Sequence, residues 1–287
     1  MKAGFWMAPE GADAAMTIAP IGVDELATPG RTGSGAVHGL ARAGVEGLIE
    51  RCERVGRLLP ELADALARQK ADAPGRLVDV TEYDADEREL LSQALGSGEV
   101  SGVVALPDGV TAQISESTMA GLWRVRFSDA DERVIGDYLE IAAIPEVVRR
   151  AAVANARDVA FGPPPENVMN VMPLLAEIRA RVDAFEPGAE SHIVNFSLFP
   201  MTPEDMAFLQ HTLGDGPVGL LSRGYGKCRI HATATRHVWS VQYFNAMDEI
   251  ILDTLEIGDV PVVAQAAVED FRDSSERLLE IHEAYFK

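Results

Sequence analysis

The residues best suited to chemistry lie in one run, Ser222-Arg223-Gly224-Tyr225-Gly226-Lys227-Cys228-Arg229-Ile230-His231, followed by Arg236-His237. A cysteine between Lys227 and Arg229 sits where cationic neighbours lower a thiol pKa and make thiolate more available. From residue 216 to residue 247 there is no Asp or Glu, although the chain carries 45 acids, so this stretch is expected to form a positive island suited to an anionic group or an acidic surface. The Gly224-Tyr225-Gly226 turn would let a partner approach the backbone closely. A thiol enzyme also needs a base and an orienting group, for which His231 or His237 would have to serve. Strand alternation puts Cys228 and His231 on opposite faces and weighs against that pair, which leaves an inert strand residue and a functional thiol as the alternatives for Cys228.

Other chemistry is thinly supported. Two distant cysteines and six scattered histidines give no CxxC, no HExxH and no closed tetrahedral ligand set, and the Gly-Tyr-Gly run lacks the remainder of a phosphate-binding loop. No metal, cofactor or catalytic residue is therefore expected. Cys52 falls on an apolar helix stripe with Leu48, Val55 and Leu59 and is read as simply buried. Pro60 is expected to kink or restart that helix.

The elements that must hold these residues occur twice. Trp123-Arg124-Val125-Arg126-Phe127 resembles Trp239-Ser240-Val241-Gln242-Tyr243, and Asp137-Tyr138-Leu139-Glu140-Ile141 resembles Asp253-Thr254-Leu255-Glu256-Ile257, at a constant separation of 116 residues (239 − 123) that also pairs Pro145 with Pro261. Asp84 with Glu87 and Thr202 with Asp205 are helix starts, and Gly96 and Gly214 end those helices. Each copy thus reads as helix, strand, helix, about four strands in an antiparallel meander, then a helix beginning near Pro145 or Pro261. The fold class is α+β: two tandem repeats related by a pseudo-twofold, each with helices on an antiparallel sheet. The expected organisation is a tail over residues 1–37, an N-terminal repeat over 38–160 and a C-terminal repeat over 161–287. The second repeat opens with a helix whose stripe runs Val168, Val171, Met172, Leu175, Ile178, Val182, and the chain closes on a helix near residues 275–286.

Duplication also separates shared features from singular ones. Trp123 and Trp239, and Asp137 and Asp253, are kept in both copies and are read as structural; the two carboxylates lie on an apolar strand face and need hydrogen-bond partners. The cationic Gly-Tyr-Gly run belongs to the second copy alone, which makes it the candidate for function.

Composition sets the compartment and excludes some partners. A net charge of −20 over 287 residues opposes binding to nucleic acid or to an anionic membrane. No window supplies about eighteen uncharged apolar residues, so no direct membrane insertion is expected. Two widely separated cysteines fit a reducing compartment, and the chain is read as cytoplasmic.

Asn167-Val168-Met169-Asn170-Val171-Met172-Pro173, Leu221 to Ile230 with its Gly-Tyr-Gly-x-Cys-Arg core, Val238-Trp239 with Tyr243-Phe244-Asn245, and the closing run from Glu269 to Leu278 resemble the HupH/HyaF hydrogenase expression proteins, most closely over residues 165–287. The resemblance implies a non-enzymatic assembly factor for a membrane-bound uptake nickel-iron hydrogenase. It would be a chaperone that binds the immature iron-sulfur small subunit before export, together with another dedicated chaperone. Partner binding is expected at Arg223, Gly224, Tyr225, Gly226, Lys227, Cys228, Arg229, Tyr243 and Asn245. The alternative is a thiol-dependent redox or iron-handling protein that uses Cys228.

The segment before residue 37 lacks periodic apolar residues and is interrupted by Gly and Pro, so it should be dispensable for folding. Deleting residues 1–35 should leave the thermal midpoint unchanged; a fall of many degrees would show that Phe5, Trp6 or the Ile18 and Ile21 segment packs on the body.

Overall fold

The computed structural model describes residues 45–286 apart from residues 71, 200 and 225. The expected tail, residues 1–37, lies outside the described residues. Copy one comprises α1 (Val45–Arg51), α2 (Glu53–Arg68), β1 (Arg76–Asp79), α3 (Ala85–Leu95), β2 (Val100–Ala105), β3 (Thr111–Glu116), β4 (Leu122–Ser128), β5 (Val134–Ile141) and α4 (Glu146–Ala154). Copy two repeats the order: α5 (Val171–Asp183), β6 (His192–Asn195), α6 (Pro203–Leu213), β7 (Asp215–Ser222), β8 (Lys227–Thr233), β9 (Val238–Phe244), β10 (Ile250–Ile257) and α7 (Val268–Tyr285). The chain is an α+β protein of two tandem repeats.

Strand order is the same in both copies, β1-β5-β4-β3 and β6-β10-β9-β8, with antiparallel pairing. The two tryptophans occupy equivalent places: Trp123 on β4 faces Glu140 on β5, and Trp239 on β9 faces Glu256 on β10. Both are buried, and the Trp123 indole N–H donates to the Ala142 carbonyl at 2.9 Å. The equivalent strands β2 and β7 pair antiparallel, with Gly102 opposite Leu220, as a local twofold requires. Gly102 is needed there because a Cβ would run into the Leu220 side chain.

The compact units do not follow chain order. One holds the described part of Thr17–Glu99 with Ile114–Pro145 and Ala266–Lys287; the other holds Val100–Gln113 with Glu146–Gln265. Compactness exchanges the last helices of the two copies, so these units do not coincide with a single cut near residue 160. Helix α7 of copy two carries Phe271, Leu278 and Ile281 into the core formed by α2, α3, Leu122, Leu139 and Ile141 of copy one. Its seat is specific: Ser274 Oγ donates to the Ala120 carbonyl, Ser275 Oγ donates to the Ala63 carbonyl, and the Phe271 ring occupies the space beside Gly121, whose φ of +83° suits glycine. The other core gathers Val171, Leu174, Leu175 and Ile178 of α5 with Leu209 and Leu213 of α6 over Val194, Val238, Leu255 and Ile257.

The helix break predicted at Pro60 falls instead at Cys52, and α2 runs through Pro60. The burial of seven side chains from Val55 to Leu66 offsets the cost of one proline, about 3 kcal/mol in an unsupported helix. Cys52 is buried, as expected.

Both helix starts are capping boxes, Asp84 with Glu87 and Thr202 with Asp205. The acid in each box reaches further. Glu87 accepts from Arg54 Nε on α2 at 2.6 Å, so copy one ties α3 to α2 through an ion pair. Asp205, fully buried, accepts backbone N–H groups of Met169, Asn170 and Val171 at 2.9–3.3 Å, which are the opening turn of α5, besides Thr202 N and Oγ. Burial alone would raise the Asp205 pKa, but the amides of Thr202, Asn170 and Met169 and the Thr202 hydroxyl hold it below the ordinary carboxylate range. A depressed folded pKa stabilises the fold above the unfolded value of about 4 and stops doing so as pH falls through the folded value. Asp205→Asn should therefore cost on the order of 3 kcal/mol in urea unfolding at pH 7, and the gap from wild type should shrink below about pH 4. A gap that stays constant down to pH 3 would show that the charge of Asp205 is not what holds α5.

Candidate partner-binding surface

The hairpin that joins β7 to β8 spans Arg223 to Gly226, with Ser222 paired to Cys228 at its base. Arg223 is exposed, and Gly226 has a φ of +117° with open space where a Cβ would stand. Tyr225 lies outside the described residues. The adjacent β9–β10 turn is built by Asn245, whose Oδ1 accepts from Met247 N and Glu249 N and whose amide donates to Glu249 Oε2. Asn245 is thus committed to shaping a turn. Lys227 Nζ meets Asp248 Oδ1 at 2.7 Å and so joins the two turns. The acid-free stretch ends at Met247, so a turn residue one position beyond it neutralises part of the positive island. Arg223 stays exposed at the hairpin, while the Arg229 guanidinium lies 4.9 Å from the Phe244 ring centre and is half-buried.

Cys228 faces away from those cations. Its side shares the face of Tyr243, its cross-strand partner, and of Glu256 on β10, while Lys227 and Arg229 project from the other face. Burial first, and then the Glu256 carboxylate, push the Cys228 thiol up to about 12, against a smaller opposing effect of its hydrogen bond to Tyr243. Burial, Cys228 and Glu256 likewise push the Tyr243 hydroxyl up to about 12, and burial raises Glu256. The expectation of a lowered thiol pKa is therefore corrected: sequence neighbours on a strand point to opposite faces, so Lys227 and Arg229 cannot activate Cys228.

The histidines do not complete a thiol site. His231 is on the Arg229 face, and burial, with Arg229, lowers its pKa against the opposing effect of Asp215. His237 lies at the far end of β8 with φ of +60°, its ring 4.2 Å from that of Phe185. Among the described residues no three His, Cys, Asp or Glu side chains form a group fit to hold a metal ion.

The paired carboxylates are both buried and each has a side-chain donor. Asp137 receives Arg124 Nε at 2.9 Å and Nη2 at 2.7 Å in a two-pronged contact, with Arg126 3.6 Å away. Asp253 receives the Gln242 amide at 3.3 Å. Arg223 and Arg229 are the partners of neither in these contacts.

The HupH hydrogenase expression protein C-terminal conserved region matches residues 55–160 and again residues 168–285. The chain belongs to this family. Its double match falls on the two copies, with the junction between α4 and α5. A hydrogenase expression/formation protein HupH of Rhizobium leguminosarum bv. viciae is 57% identical over 287 residues, all of both chains. The hydrogenase expression/formation protein HoxQ of Cupriavidus necator is 44% identical over 78% of this chain and 79% of its own, and the hydrogenase-1 operon protein HyaF of Escherichia coli is 34% identical over 81% and 83%. The family motif from Asn167 to Pro173 has a structural purpose here, since its amides are those gathered by Asp205.

The signal that identifies Tyr243, Glu256 and Cys228 as one buried cluster was present in the strand alternation, but it requires the β8–β9–β10 register. With Cys52 replaced by alanine, the remaining thiol at pH 8 should react with a disulfide reagent at least roughly a hundredfold more slowly in the native chain than in urea. A native thiol that reacts as fast as the unfolded one would overturn the buried assignment and restore the redox alternative.

Proposed function

We propose that the chain is a non-catalytic maturation factor of the cytoplasm that holds the immature iron-sulfur small subunit of a nickel-iron hydrogenase, and that it meets this partner with the β7–β8 hairpin end of copy two. Support for the maturation role comes from the relatives, all named for hydrogenase expression or formation or for a hydrogenase operon. No helix among the described residues is long and apolar enough to cross a membrane. The observation that carries the surface is Arg223 with Gly226: an exposed cation and an open left-handed glycine in a hairpin whose copy-one counterpart, between β2 and β3, has no cation, neither used by the core. Gly224, Lys227 and Arg229 belong to the same surface and Asn245 shapes its second turn, while Cys228 and Tyr243 lie on the opposite face of the sheet.

Capture of a small-subunit precursor from solution tests this directly. Arg223→Glu combined with Arg229→Gln should weaken capture by about tenfold or more, because an exposed guanidinium that meets acidic groups contributes to encounter and holding. The Arg223 substitution should leave the thermal midpoint nearly unchanged, since exposed charges add little to stability, and any fall belongs to the half-buried Arg229. Raising salt should weaken wild-type capture in the same direction. A folded double variant that captures the precursor as wild type does would contradict the assignment.

A further inference from the structure

Copy one carries a cationic centre that copy two does not. On one face of its sheet Leu122, Arg124 and Arg126 of β4 stand opposite Ile141, Leu139 and Asp137 of β5. The inner end of that face, Leu122, Leu139 and Ile141, is covered by the helices. The outer end holds the charges. Arg124 satisfies both oxygens of Asp137, and Arg126 approaches the same carboxylate only to 3.6 Å. Its Nε is buried and, among the described residues, has no hydrogen-bond partner. Arg88 on α3 adds a third positive charge to the surroundings of Arg126; burial first, and then Arg124, press the Arg126 guanidinium below its ordinary pKa range, with Asp137 opposing. One buried carboxylate thus serves two guanidinium groups, with Arg88, whose Nε donates to the Tyr83 and Asp84 carbonyls, as a further positive charge nearby.

The fold does not need that surplus. At the equivalent places copy two has Ser240, Gln242 and Asp253, and a neutral amide meets the aspartate there. Arg124 is the donor that Asp137 needs, whereas Arg126 stands where copy two has the neutral Gln242. Beside them β5 exposes Val134 and Ile135, at the bulge that ends its pairing with β4. Exposed aliphatic side chains next to an underused guanidinium suit an acidic side chain set among apolar ones; a free inorganic ion has no use for the apolar border.

We propose that Arg126, supported by Arg124 and Arg88, is the anion-binding centre of a second partner surface, which takes a carboxylate from an apolar, acidic polypeptide segment. The net charge of −20 opposes such a partner at long range, but at physiological salt the field is screened within about 8 Å, so the local arginines decide. The residues of this site are not those of the copy-two hairpin, and the failure of either assignment leaves the other intact.

The decisive variant is Arg126→Gln, which installs the residue copy two already uses. With the full chain, the probe is the peptide Ac-Val-Asp-Leu-Glu-Ile-amide against its amide counterpart Ac-Val-Asn-Leu-Gln-Ile-amide, followed by calorimetry, with inorganic phosphate as a separate titrant. Wild type should bind the acidic peptide about tenfold or more tightly than its neutral counterpart, as one good charge-assisted contact provides. Arg126→Gln should abolish that preference with an unchanged thermal midpoint, and Arg223→Glu should retain it. Wild type that fails to distinguish the peptides, or an Arg126→Gln variant that still does, overturns the proposal. Arg126-dependent binding of phosphate without binding of the acidic peptide overturns the polypeptide as the ligand. Should Arg126→Gln lower the midpoint, Arg126→Lys serves in its place: it keeps the charge without the fork and should lose most of the preference; full retention overturns the guanidinium assignment.

Discussion

A carboxylate taken out of water must be given donors, and two equivalent pairs of buried acids impose that demand on both copies: Glu87 with Asp205, and Asp137 with Asp253. The first pair sits at the third residue of a helix and reaches to the helix before it. Glu87 does so through the Arg54 guanidinium, and Asp205 through the amides that open α5. The second pair sits mid-strand and fixes what β4 and β9 may carry opposite it. Stranding any of these charges would cost more than most single core contacts contribute, which explains why the positions persist while their partners differ.

That difference in partners is where the copies acquire separate surfaces. Copy two answers Asp253 with a neutral amide and places its unneutralised cations at a hairpin tip, where Arg223 is exposed. Copy one answers Asp137 with a guanidinium fork and keeps a further, poorly satisfied arginine beside exposed aliphatic residues. Exchange of the final helices adds another constraint. Phe271 against Gly121 and the serine hydroxyls of Ser274 and Ser275 give α7 a unique seat in the core with α2, so a chain built from two like sequences has one way to place that helix.

Element order, both helix starts, the paired tryptophans and the strand alternation were legible in the sequence because each rests on local periodicity or a capping pattern. Three features were not. The seat of α7 depends on contacts some 150 residues apart, such as Ser274 with Ala120. The chemistry of Cys228 depends on which face of β8 it takes, and alternation separates it from Lys227 and Arg229 as well as from His231. The surplus at Arg126 depends on the β4–β5 register that sets it opposite Asp137, which the local pattern does not supply. The break at Cys52 in place of Pro60 is a fourth departure, where packing of α2 overrode a local rule.

The central claim is that shared positions hold the fold while the cationic positions peculiar to each copy meet partners. Hydrogen exchange of the full chain, read peptide by peptide with and without the small-subunit precursor, tests it most directly. The account predicts slowed exchange in the β7–β8 hairpin around Arg223 to Arg229, and in the β4–β5 hairpin that carries Arg126 if the same partner supplies the carboxylate, with the capped starts of α3 and α6 unchanged. Protection confined to those helix starts, or none at either hairpin in a complex shown to have formed, would contradict it.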